Sequence, residues 1–189
     1  MKDYSNKTVS IQKGSLLLAE PFLPDHNFFR SVVLITEHSQ NGTVGFVLNH
    51  ESDFLLSDLI DDVYNADYAV YIGGPVEQNT LHFIHKFHDV NNAIHISDGL
   101  YWGGDFDNIK LKLNIGKVQK NQIRFFLGYS GWGVGQLHME IKSKSWFAGQ
   151  LSDFDIFNNE NKNMWRMVLK SWGEDYKTYA NYPIDPTLN

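Results

Sequence analysis

The sequence predicts an α+β domain built on a mostly antiparallel sheet. Three observations carry that reading. Short apolar or β-branched runs crowd the N-terminal half, each about the length of a strand. The connections between them are of hairpin length, and an Asn41-Gly42 step separates two of the runs. The strongest helix-spaced pattern lies near the end, over Lys162 to Trp172, whereas a doubly wound parallel sheet would alternate strand with helix throughout.

Taken in order, Gly14 to Ala19 (GSLLLA) is a continuous apolar run and reads as the first strand. Ser31 to Thr36 (SVVLIT) and Gly42 to Leu48 (GTVGFVL) form a hairpin across His38 to Asn41. Leu55 to Ile60 (LLSDLI) is expected as a short helix. Tyr68 to Ile72 and Thr80 to Phe87 are strands flanking Gly73-Gly74-Pro75, where glycine supplies positive φ and proline fixes the exit. Asp105 to Ile115 is expected to be helical, with Asp105, like Asp153 further on, serving as a helix cap or a solvated turn residue. Gln122 to Leu127 (QIRFFL) reads as a buried strand, and Gly128 to Gly135 as a Gly/Trp-rich turn. Val134 to Lys142 follows as a helix with Val134, Leu137 and Ile141 on one face. Trp146 to Gln150 is a further strand, and the Lys162 to Trp172 helix buries Trp165, Val168, Leu169 and Trp172. The ends, Met1 to Gln12 and Tyr182 to Asn189, read as ragged.

The whole chain of 189 residues fits one domain with its core at about 13–173, and a domain of this size removes roughly 70% of its unfolded surface from water. With 42% apolar and 14% aromatic residues it has the material for a core. It contains no cysteine, which excludes disulfides, thiolate metal ligation and cysteine nucleophiles. The polar N-terminus lacks the apolar stretch of a signal peptide, and no segment approaches a membrane span. A cytoplasmic protein with no membrane partner is expected. The formal charge of −6 repels phosphate backbones, so DNA is disfavoured as a partner. Lys110, Lys112, Lys117, Lys120 and Arg124, with Lys142 and Lys144 later, are a basic concentration that reads as a solvated face or as a polyanion contact.

Known motifs fail at single residues. In Gly128-Tyr129-Ser130-Gly131-Trp132, Trp132 stands where a nucleophile elbow needs its second glycine. Gly131 and Gly133 are followed by Gln136, not by the third glycine of a dinucleotide fingerprint. No Gly-Lys-Ser/Thr exists, so a P-loop is excluded. What survives is a helix start whose amides, with the Ser130 hydroxyl and the Gln136 amide, hold an anion or a carbonyl; the alternative is a tight turn with Trp132 plugging the core. On a strand His82 and His85 point to opposite faces, and His88 lies well away, so the three do not chelate one metal. The paired and scattered aspartates show no spacing peculiar to a metal or glycosidase site.

The chain resembles the AlgH/YqgE family, bacterial proteins largely lacking a defined biochemical activity. The resemblance is carried by G-x-L-L-x-A-x-P across Gly14 to Pro21, then Asp25, Phe29, Ser31-Val32-Val33, Glu37-His38, Gly42, Gly45 and Asn49. It continues through Gly73-Gly74-Pro75-Val76, His85 and Asp98-Gly99, and above all Leu127 to Leu137, which follows L-G-Y-S-G-W-G-P-G-Q-L with Val134 in place of the proline. The Trp165 to Trp172 helix resembles the family's closing element. The resemblance implies a strongly curved sheet wrapped into a barrel-like core with helices outside. It also implies the label of transcriptional regulator, which no helix-turn-helix pattern or basic recognition helix in this sequence supports.

The candidate ligand-binding set joins the Tyr129, Ser130, Gly131, Trp132, Gly133 and Gln136 turn to Asn49, to Gly73, Gly74 and Pro75, and to His85. The reading is of a non-enzymatic binding or regulatory domain for a small molecule or a protein partner. Neither a cofactor nor a catalytic residue is expected in it. An alternative makes it an enzyme, with Ser130 or His85 as the reacting group and the turn amides as oxyanion donors.

Overall fold

The computed structural model describes residues 10–64, 66–151, 155–157 and 161–183. Strands β1 (Ser15–Ala19), β2 (Val32–Ser39) and β3 (Gly42–Val47) form an antiparallel meander, the last two joined across Gln40-Asn41. The outer edge of β1 takes β10 (Trp146–Gln150), also antiparallel. These strands read as continuous apolar runs because both of their faces are covered. Leu16, Leu18, Val32, Leu34, Phe46 and Leu48 pack to one side with Trp165, Val168 and Leu169. Leu17, Ala19, Val33, Ile35 and Val47 pack to the other with Trp132, Leu137 and Trp146. Successive side chains alternate across a strand, so a two-sided core demands an unbroken apolar sequence.

The hub of the sheet is β9 (Ile123–Trp132). It lies between β3 and the long β6 (Val76–His85), both antiparallel to it. Along 125–127 it also takes β5 (Ala69–Ile72), in parallel. The other edge of β5 holds β4 (Glu51–Leu55), and beyond β6 lie β8 (Leu100–Trp102) and β7 (Ile94–Ser97). The strand path ends at β10 and at β7, so the hydrogen-bonded sheet does not close into the barrel that the family resemblance implied.

The helices cover the sheet. α1 (Phe106–Asn114) sets Ile109 and Leu113 over Val70, Phe83, Ile123 and Phe125, and the Asp105 side chain caps it by accepting from the Asp107 amide, as expected. α2 (Gln136–Lys142) buries Leu137. α3 (Asn161–Ser171) carries Trp165, whose indole donates to the Ala19 carbonyl at 2.9 Å. α4 (Glu174–Ala180) brings Tyr176 and Tyr179 against Phe147.

The sequence expectations differ from this in several places. Leu55 to Ile60 is not a helix: β4 runs through Leu55, and one 3-10 turn follows at Leu56–Asp58, pinned by the Asp58 carboxylate accepting from the Leu55 amide. The strand expected to stop at Leu127 continues to Trp132, because β3 and Val76 offer it pairing partners. The helix expected from Val134 begins at Gln136. β4, the β7–β8 hairpin and α4 have no counterpart among the expected elements. Asp153 lies outside the described residues. Of the basic concentration, Lys110, Lys112 and Lys120 pair with Asp107, Asp89 and Asp67, while Arg124 is buried, donating to the Leu48 carbonyl at 2.6 Å beneath Tyr71. Among the described residues no helix is long and apolar enough to cross a membrane.

Candidate functional site

The glycine-rich half of β9 has two sides of opposite character. Gly128, Ser130 and Trp132 face inward and are buried, whereas Tyr129 is half-buried and Gly131 exposed. On the inward side the structure brings together Gly73, Gly74 and Ser130 of the candidate set, backbone against backbone. A β-carbon on Gly73 would stand 2.3 Å from the Gly128 oxygen, and one on Gly74 would stand 2.3 Å from the Tyr129 carbonyl. The Ser130 hydroxyl donates to the Gly73 carbonyl at 3.0 Å and is fully buried. It is committed to holding two chain segments together, and among the described residues no base stands beside it to make it a nucleophile. Pro75 is exposed on the outside of the same turn.

Asn49 and His85 are likewise tied to backbone. The Asn49 carbonyl accepts from the Val32 amide at 2.8 Å and its NH2 donates to the Arg30 carbonyl at 3.0 Å, which fixes the entry to β2. His85 accepts the Phe87 amide on Nδ1, so Nε2 carries the proton and donates it to the Gly103 carbonyl at 2.9 Å. Its ring stacks with Phe83, Phe87 and Tyr101. Burial pushes this imidazole below its ordinary value, against an opposing pull from the Gly103 carbonyl.

The helix-start cradle expected at Gly133 to Gln136 is filled by the chain itself. The Gly133 amide donates to the Gln136 side-chain oxygen at 2.9 Å, and Gly135 precedes α2 in the left-handed region at φ 74°. The Gln136 NH2 donates to Glu140 at 2.9 Å, and the other carboxylate oxygen of Glu140 accepts both the Trp132 indole at 2.9 Å and the Trp146 indole at 2.8 Å. Glu140 therefore locks α2 onto β9 and β10. Sequence reasoning missed it, although Gln136 and Glu140 stand four apart on a helix beside two tryptophans.

The outward side is open. A groove of about 270 Å³ is lined by Glu37, Ser39, Asn41, Gly42, Thr43 and Val44 of the β2–β3 hairpin together with Tyr129, Gly131 and Trp132. Its shape follows from register: Glu37 pairs with Val44 and Val44 with Gly131, so the three form one row across adjacent strands and on one face. Gly131 puts no side chain into that row, and the Tyr129 ring lies beside the gap, 3.3 Å from where a Gly131 β-carbon would be. A larger hollow of about 370 Å³ touches Glu51, Tyr68, Tyr71, Lys120 and Arg124. Its cations are already committed, Lys120 to Asp67 and Arg124 to the Leu48 carbonyl. Among the described residues no three His, Asp or Glu side chains converge as metal ligands.

Comparison with known proteins agrees with the architecture. The AlgH-like family model matches residues 16–177. A UPF0301 protein of Cytophaga hutchinsonii is 40% identical over 95% of this chain and all of its own length. Another, from Parabacteroides distasonis, is 41% identical over 97% of this chain and 94% of its own. Among solved structures, a crystal structure of a Corynebacterium diphtheriae protein superimposes with a TM-score of 0.73 at 24% identity, covering 92% of this chain and 94% of that one. The solution structure of the AlgH protein from Pseudomonas aeruginosa does so with a TM-score of 0.73 at 21% identity, over 97% and 98%.

Proposed function

The chain belongs to the AlgH-like family, and within it we propose a non-enzymatic binding domain whose site is the open groove between the β2–β3 hairpin and the outward face of β9. The observation that carries this reading is the gap at Gly131. An exposed glycine between an aromatic ring and a carboxylate, on a strand with its opposite face sealed, leaves space for a ligand on a rigid floor. The absence of a serine–base pair at Ser130, whose hydroxyl is spent on Gly73, speaks for binding over covalent chemistry. Tyr129, Gly131 and Trp132 remain in the site. Asn49, Gly73, Gly74, Ser130 and His85 support the fold around it, and Gly133 and Gln136 anchor the neighbouring helix. A regulatory role in the cytoplasm, through a small molecule or a protein partner, is the setting this reading favours, and the net charge of −6 weighs against DNA.

Fragment screening by amide NMR on the full chain tests it. Hits should move Glu37, Val44, Tyr129 and Gly131 together, and Gly131→Leu, which fills the gap, should abolish them while leaving the thermal midpoint near that of the parent. Hits confined to the hollow at Tyr68 and Arg124, with none at Gly131, would refute this assignment.

A further inference from the structure

The groove's chemistry is specific enough to name a ligand class, an inference that rests on the binding reading just given. We infer that it takes an organic cation, an alkylammonium or guanidinium group seated between the Glu37 carboxylate and the Tyr129 ring, above Gly131. Two strand spacings separate Glu37 from Gly131 in their shared row, about 10 Å, a width that admits one such group with its alkyl stem laid on Val44.

Three features favour a cation. Glu37 is exposed and its side chain has no hydrogen bond or ion pair among the described residues, so the carboxylate is available to a ligand. Among the described residues no Lys or Arg lines the groove. The polar rim supplies acceptors: Asn41 contributes a side-chain amide oxygen, and the Ser39 oxygen, which already receives the Asn41 amide at 3.1 Å, keeps a second lone pair. An anion would meet an unpaired carboxylate with no cation to offset it, and a neutral apolar ligand would strip water from Glu37 without replacing it. The net charge of −6 biases arrival in the same direction.

The test uses the isotope-labelled full chain and four probes: putrescine, N-acetyl-lysine amide, its uncharged analogue N-acetyl-norleucine amide, and acetate. Both cations should shift Glu37, Val44 and Gly131, weakening as salt is raised, with norleucine amide and acetate nearly silent. Tighter binding of lysine amide than of putrescine points to the basic side chain of a polypeptide, and the reverse order to a free diamine. Glu37→Gln should weaken either cation by about two- to fivefold, with an unchanged thermal midpoint because the Glu37 side chain is exposed and makes no hydrogen bond or ion pair among the described residues. Equal shifts from norleucine amide or acetate, or undiminished cation affinity in Glu37→Gln, would overturn the cation inference and leave the groove standing as a binding site. Silence at Gly131 with every probe would remove the cation inference, and with the fragment screen also silent there, the groove itself.

Discussion

Gly74 and Gly131 lie on neighbouring segments of the sheet, and lack a side chain for opposite reasons. At Gly74 there is no room for one: the backbone of Tyr129 and Ser130 occupies the place, and φ is +155°. At Gly131 a β-carbon would meet only side chains, the nearest being the edge of the Tyr129 ring at 3.3 Å, which has to give by a few tenths of an ångström. One glycine seals a junction and the other opens a groove, and a sequence motif that contains both kinds does not say which is which.

The sharpest way to break this comparison is to add a methyl group to each. Gly74→Ala forces a β-carbon into main chain and should cost about 3 kcal/mol or more, read as a fall in the urea midpoint. Glu140→Ala strips the acceptor from two buried indole N–H groups and should cost about 3 kcal/mol, with a change in tryptophan fluorescence as α2 loosens. Ser130→Ala removes one buried hydrogen bond to Gly73 and should cost about 1–2 kcal/mol, leaving the groove's ligand affinity intact. Gly131→Ala should stay within about 0.5 kcal/mol of the parent; a loss as large as that of Gly74→Ala would mean that the outward face is as tightly packed as the inward one.

A gentler probe is pH. His50, His82 and His85 are all held below the ordinary imidazole value of 6.5, burial being the largest cause in each. The unfolded chain therefore takes up protons first as pH falls below about 6.5, so stability is full above that value and declines beneath it until the folded histidines protonate. His82 sharpens the point, since its Nε2 is buried without a hydrogen-bond partner among Phe46, Trp102 and Tyr129. His82→Phe should flatten the decline between pH 7.5 and 5.5 in denaturation curves, with little loss of stability at the upper pH.

Much of the sheet was legible from residues alone. The runs at Gly14, Ser31, Gly42, Tyr68, Thr80, Gln122 and Trp146 all fall on strands, and the unbroken apolar stretches of β1, β2 and β3 reflect cover on both faces. The β7–β8 hairpin has a readable Asp98-Gly99 turn between Ile96 and Leu100, but its strands, of four and three residues, are too short to show a period. β4 and α4 were not legible: Glu-Ser-Asp-Phe-Leu and Glu-Asp-Tyr-Lys-Thr-Tyr-Ala are mostly polar, and each is fixed by a neighbour distant in sequence, β5 for one and Phe147 for the other. At the candidate site, the convergence of Gly73, Gly74 and Ser130 was anticipated, but not that it would be closed. The groove itself depends on Glu37 and Gly131 sharing a row, a fact of register across three strands that composition does not encode.

The position of β9 in the chain has a consequence for biosynthesis. It is the common partner of β3, β5 and β6, all of which leave the ribosome earlier, and β1 waits longer still for β10. Until residue 132 emerges, the nascent polypeptide carries bare strand edges, the condition under which chains stick to one another or recruit chaperones. Stalled translation products ending before Ile123 should therefore sediment with aggregates, while those extending beyond Ala180, which include the α3 and α4 cover, should stay in the supernatant.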